Sequence, residues 1–208
     1  MSAWIDITLP VDEAMPVWPG RSRPQHCWEK SIAAGDHCNA SHWQLSAHSG
    51  THMDAPLHFI PDGRSIDDIS PDVFIGPCVL IDLCTLQVPI LDEEVARDLT
   101  GVRRLLVRTS HSLARSEPYP PHGPIATQAA VEILIAGGLL LLGVDRLSVD
   151  DSSQDDFVLH RTLLGADCVI LEGLSLTHVT PGAFILYACP LRLTGTEASP
   201  IRAFLALT

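Results

Sequence analysis

The chain is poor in charge and in aromatic rings: Asp, Glu, Lys and Arg make up 18% of its 208 residues and Phe, Trp and Tyr only 5%. So low a charged fraction, beside 46% hydrophobic residues, excludes a disordered or coiled-coil chain and predicts a packed fold. Basic residues are the scarcer sign, 13 Lys and Arg against 25 Asp and Glu, for a formal charge of −12. Charge alone therefore draws the chain to neither nucleic acid nor an anionic membrane. Long hydrophobic runs are missing too. The longest, Ile133 to Val144, is broken by Gly137-Gly138 and is too short to cross a bilayer. Met1 to Pro10 has no basic run ahead of an apolar segment, as a secretory leader would. The six cysteines, Cys27, Cys38, Cys78, Cys84, Cys168 and Cys189, form no C-x-x-C pair and are too sparse for a disulfide framework. Reduced thiols in a cytoplasmic protein are expected. Also missing are a Walker A loop, a G-x-G-x-x-G fingerprint and the G-x-S-x-G elbow. Gly63-Arg64-Ser65 and Gly173-Leu174-Ser175 start the elbow but break at Asp67 and Thr177. A nucleotide cofactor and an elbow serine nucleophile are thereby unsupported, and the length fits one domain over residues 1–208.

What is present is a series of short apolar runs between turn signals, rich in Val, Ile and Leu as buried strands are. They predict strands at Trp4 to Leu9, Cys78 to Leu83, Leu105 to Thr109, Leu139 to Val144, Cys168 to Leu171, Phe184 to Ala188 and Ile201 to Ala206. Asn39 to Ser46 alternates, with Trp43 and Leu45 on one side and His42, Gln44 and Ser46 on the other, which predicts a strand with one polar face. Helices are predicted at Leu91 to Leu99, whose acidic start suits the helix dipole, at Thr127 to Ala136 before Gly137-Gly138, and at Phe157 to Leu164 before Gly165. Strands and helices alternate in the second half, so the fold class is α/β with a mixed sheet. Four prolines make Ser110 to Pro124 a stiff loop, of a length that often covers a functional site.

Of ten histidines, three fall in the eleven residues from His48 to His58, which also hold Asp54. His48 and His52 share a side if a helical turn joins them. Gly50 and Pro56 argue against a long helix, and a tight turn gathers the same groups. Two imidazoles and one carboxylate suit a divalent ion such as Zn, Mn or Fe(II), with positions left open for water or substrate. The plainer alternative is a polar surface turn. Glu172 follows the apolar run from Cys168 and His160 lies in a predicted helix. A carboxylate at the end of a buried strand is costly unless paired, solvated or bound to metal. His42 is near enough in sequence to orient a ligand, His111 and His122 bracket the proline-rich loop, and His26, His37 and His178 have no companion motif.

The segment from His48 to Phe59 resembles the H-x-G-T-H-x-D-x-P-x-H signature of the cyclase-like metal hydrolases, which include bacterial kynurenine formamidases and isatin hydrolases. The resemblance extends to Asp6-Ile7-Thr8, Met15-Pro16-Val17-Trp18-Pro19-Gly20, Gly76-Pro77-Cys78, Gly143-Val144-Asp145, Ser148-Val149-Asp150, His160-Arg161 and Ile170-Leu171-Glu172-Gly173-Leu174. It implies a swivelling β/β/α fold with a mixed central sheet and a homodimer or larger assembly. It also implies one ion on His48, His52 and Asp54, with Asp54 bridging to a second on His160 and Glu172 in formamidase-like members. Zn or Mn, one or two ions per subunit, is the cofactor expected, and His58 is the expected general acid or base. The length and the closing pattern Pro190-Leu-Arg-Leu-Thr-Gly195 with Ser199-Pro-Ile-Arg202 are more similar to the short formamidases. That implies hydrolysis of N-formylkynurenine by metal-bound hydroxide, the alternatives being a cyclic amide, imide or lactone such as isatin, or a metal-binding protein without turnover. An aryl substrate wants apolar walls, for which Trp18, Phe59 and Tyr119 are candidates, Trp18 foremost. Arg21 and Arg146 stand where relatives commonly carry Asp and a small residue. Either is a candidate partner for a substrate carboxylate.

Overall fold

The computed structural model describes residues 4–86, 89–110 and 122–207. Its strands are β1 (Trp4–Asp6), β2 (Gln25–Lys30), β3 (Ala40–Gln44), β4 (His52–Asp54), β5 (Ile75–Asp82), β6 (Arg104–Arg108), β7 (Leu141–Val144), β8 (Val169–Glu172), β9 (Gly182–Tyr187), β10 (Ala198–Pro200) and β11 (Phe204–Leu207). The α-helices are α1 (Pro71–Phe74), α2 (Glu93–Asp98), α3 (Gln128–Ala136) and α4 (Val158–Gly165). Among the described residues nine strands form one sheet, in the order β1-β11-β9-β5-β6-β7-β8-β4-β10, and β2 and β3 pair separately as an antiparallel hairpin.

The middle of the large sheet, β5 through β8, is parallel, and both flanks are antiparallel. Parallel strands are covered on both faces, which is why their sequences read as continuous apolar runs. Alternate residues serve opposite cores. Leu105, Val107, Leu142, Val144 and Ile170 pack with Val131 and Leu134 of α3 and Leu159, Leu163 and Leu164 of α4. Leu106, Leu141, Val169 and Leu171 join Met53, Leu80, Leu186 and Leu205 in the other core. Thr8 bridges to Leu174, tying the chain after β1 to the chain after β8, so the sheet curls around this second core. Space there is tight: a Cβ on Gly143 would fall 2.5 Å from Leu106 Cδ2.

The expected α/β class with a mixed central sheet is what the chain adopts. Every predicted strand overlaps an observed one, with ends shifted by up to three residues. Thr127, expected as the first residue of the helix, instead caps α3 by accepting the Ala130 N–H. Asp92, expected inside the first turn of α2, instead caps it and accepts from Glu94 and Val95 N–H. The apolar side expected for the strand at Asn39 to Ser46 is not buried. Its strand partner is β2 alone, so Trp43 is 40% and Trp28 59% exposed, with the His26 ring lying 4.7 Å from that of Trp43. No helix among the described residues is long and apolar enough to cross a membrane. All six cysteines are free. Most of the proline-rich loop, with His111 and Tyr119, lies outside the described residues.

Candidate metal centre

Side chains alternate along a strand, so β4 sends His52 and Asp54 to one face and buries Met53 in the core on the other. In the antiparallel register with β8, His52 stands opposite Glu172. Pairing two short strands thus gathers an imidazole and two carboxylates that are far apart in sequence. Of the two geometries open to His48 and His52, the tight turn is the one formed. Gly50 turns the chain at φ +63°, and its carbonyl lies 3.0 Å from His52 Nδ1. That nitrogen donates its proton there, which leaves Nε2 facing Asp54 Oδ1 at 3.5 Å and Glu172 Oε2 at 3.6 Å. Gly173, at φ +67°, has to pass this turn closely: a Cβ would fall 2.4 Å from the Gly50 oxygen.

His160 arrives on α4, whose first residue is preceded by Phe157 at φ +49°, with no side-chain cap of its own. Asp150 supplies one, accepting the N–H of Leu159 at 2.7 Å and of His160 at 3.0 Å. The same carboxylate takes His160 Nδ1 at 2.6 Å. His160 Nε2 then faces Glu172 Oε1 at 3.4 Å and Asp54 Oδ2 at 3.7 Å. Glu172 is itself held by the Val149 N–H at 3.0 Å. Asp150→Ala is expected to weaken metal affinity by about 10- to 100-fold, as loss of a ligand-orienting carboxylate does. The lost cap lowers stability by about 1 kcal/mol. Metal titration and thermal melts of the one variant read the two effects separately.

Asp54 is buried, and neither of its oxygens has a hydrogen-bond partner among the described residues. His48 Nδ1 comes within 2.9 Å of Oδ1 but without the alignment of a hydrogen bond. Burial opposes ionisation of this carboxyl, yet His52, His160 and His48 outweigh it and hold Asp54 well below the usual carboxylate range. For His160, burial works against protonation, and Asp150, Asp54 and Glu172 more than reverse it, so its pKa is raised. An ionised, orphaned carboxylate ringed by imidazoles fits a divalent cation, which would neutralise the group and use its unsatisfied lone pairs. Among the described residues two sets of ligand atoms lie within 4.8 Å of one another: His48, Asp54 and His58, and His52, Asp54 and Glu172. Asp54 belongs to both, so the residues allow one ion or two.

His58 follows on the turn Pro56–His58, its ring centroid 4.3 Å from that of His48 and 5.9 Å from that of His160. Burial pushes its pKa down to about 4, against the partial opposition of Asp54. The ring is neutral at pH 7 and able to accept a proton.

These groups open into a cavity of about 230 Å³ that is walled by Trp18, Phe59, Leu147 and Phe157, with Arg21 also on its lining. Two residues that sequence reasoning passed over belong to the site. Glu197 Oε1 lies 3.2 Å from His48 Nε2, and Asp150 orients His160. Arg146 is not on the cavity wall. It is buried, with Nε donating to Thr109 Oγ1 at 3.0 Å and Nη1 to the Gly123 carbonyl at 2.8 Å, so it is engaged in the fold and not available to a substrate carboxylate. His122 is buried beside it. His42 is exposed on β3, away from the cavity lining, and His178 Nε2 lies 3.0 Å from the Asp6 carbonyl oxygen.

Relatives match this chain over nearly its whole length. A kynurenine formamidase of Geobacillus thermodenitrificans is 36% identical over 205 residues, which cover 99% of this chain and 98% of that one. The kynurenine formamidase of Bacillus cereus is also 36% identical, over 97% and 96%. Among solved structures, isatin hydrolase A from Labrenzia aggregata, bound to benzyl benzoate, superposes with a TM-score of 0.84 at 25% identity, covering 99% of this chain and 93% of that one. A predicted metal-dependent hydrolase from Bacillus stearothermophilus gives 0.79 at 28% identity, covering 97% of each. The profile of the Cyclase family matches residues 5–151, and with it the chain belongs to that family.

Proposed function

We propose that the chain is a metal-dependent amide hydrolase that cleaves the formyl C–N bond of N-formylkynurenine to give formate and kynurenine. Its main support is the orphaned Asp54 carboxylate, ringed by His48, His52 and His160 and opening on an aromatic-walled cavity. His48, His52 and Asp54 would hold one Zn or Mn ion, and His160, Glu172 and the shared Asp54 a second where two are bound. A bound divalent ion supplies Lewis-acid polarisation of the formyl carbonyl and acidifies water, from a pKa of about 15.7 to about 7. The chain's own residues do the rest. Trp18 and Phe59 hold the aryl ring and exclude bulk water from the reacting bond. The neutral His58 imidazole accepts the proton of the attacking water and returns it to the aniline nitrogen as the C–N bond breaks, so the amine leaves uncharged. The protein is proposed to work in the cytoplasm, as a homodimer or larger assembly. The exposed Trp28 and Trp43 of the hairpin β2–β3 supply apolar surface for a second copy.

The resemblance in fold to isatin hydrolase A supports a second reading, opening of a cyclic amide such as isatin at the same site. Dialysis against a chelator is expected to abolish turnover of N-formylkynurenine, and Zn or Mn to restore it. Full activity after complete metal removal sinks both readings, whereas isatin opened faster than N-formylkynurenine selects the second.

A further inference from the structure

We propose that Arg21 reads a carboxylate on the substrate, which makes the site selective for aryl amides that carry an acidic tail. This rests on the formamidase reading above and names the group that discriminates within it. The segment Trp18-Pro19-Gly20-Arg21 is a β-turn: Pro19 occupies the second position, Gly20 the third at φ +83°, and Arg21 N–H donates to the Trp18 carbonyl at 2.9 Å. Pro then Gly with a positive φ is the sequence requirement of a type II turn. Its first and last residues both lie on the cavity lining. One four-residue unit therefore presents an aromatic wall and a cation side by side.

Among the described residues Arg21 is the one Lys or Arg that lines the cavity. It is exposed and makes no ion pair among the described residues. Its neighbour Arg23 differs, donating to the Met15 carbonyl at 3.2 Å. Among the described residues the guanidinium of Arg21 is thus uncommitted, and as a planar fork it matches a carboxylate with two parallel hydrogen bonds. Its setting gives that charge leverage. The chain carries −12 overall, and Asp54, Glu172 and Glu197 crowd the reacting end, so the background field repels an acid. A local cation on the apolar side lets the amide end enter among the histidines while the acid end stays with Arg21.

The test compares kcat/KM for N-formylkynurenine with that for formanilide, which lacks the amino-acid tail, in the Zn-loaded wild type and in Arg21→Ala, Arg21→Glu and Arg21→Lys, each checked for equal metal content. Arg21→Ala is expected to lower the ratio about tenfold, mainly through KM, the scale of a hydrogen bond to a charged group. Arg21→Glu lowers it further, Arg21→Lys, which keeps the charge but loses the fork, restores part of it, and added salt narrows the wild-type preference. A ratio that stays the same in Arg21→Ala and Arg21→Glu, with both substrates turned over, overturns the role of Arg21 and leaves the reaction standing. Wild-type protein that hydrolyses neither formyl compound overturns the reaction and the tail recognition with it.

Discussion

Asp54→Asn strips the protein of its divalent ion and lowers turnover of N-formylkynurenine by more than about 10³-fold, beyond the usual loss from one oxyanion donor. Asn fills the same space, so the change removes charge and keeps volume. Asp54 is the residue common to both sets of candidate ligand atoms, and its two oxygens are buried acceptors that no N–H or O–H of the described residues satisfies. Without its charge, His48, His52 and His160 face one another across a neutral amide. The binding site keeps Glu172 as the buried carboxylate that faces both His52 and His160. Elemental analysis after dialysis, alongside turnover and circular dichroism, separates loss of metal from loss of fold. A folded Asp54→Asn protein with full metal content would show that the cation sits elsewhere.

His58→Ala is expected to cut turnover by about 10²-fold or more while leaving the metal in place, which is the usual contribution of a positioned acid or base. Burial keeps the imidazole unprotonated and so free to take up a proton. The same geometry defines the opposite outcome. His58 lies within 4.8 Å of the ligand atoms of His48 and Asp54, close enough to join an ion held there. If metal content falls with His58→Ala, the residue is a ligand and the proton must travel by another group. Measuring bound metal and kcat on one preparation decides between the two.

The parts of the fold legible in the sequence are those whose chemistry is uniform. The parallel strands β6, β7 and β8 are apolar on both faces and stand out as runs, and α3 announces itself through Thr127 at its start and Gly137 at its end. Strand β2 was not legible, because Gln25–Lys30 is exposed over most of its length and has no alternation to read. Nor was β4, in which two of three residues are polar because they face the cavity; function overwrote the pattern that marks a strand. The cluster from His48 to His58 was visible as a cluster, and the resemblance to the cyclase-like hydrolases added His160 and Glu172. Asp150 and Glu197 were out of reach as site residues. Asp150 stands in a run of acids around the β7–α4 connection, and only the start of α4 shows that it grips His160. Glu197 meets His48 across 149 positions through the pairing of β4 with β10, which no local pattern encodes.

Strand β4 also sets a rule for how this chain can change length. Because His52 and Asp54 face the cavity only by alternation, adding or removing one residue between them leaves one of the two pointing into the hydrophobic interior. Shifting the whole strand by one place exchanges both for Met53 and aims a thioether at the would-be ion. Indels of odd size are therefore barred across these three residues, whereas the exposed hairpin upstream is free to lengthen or shorten without disturbing that parity.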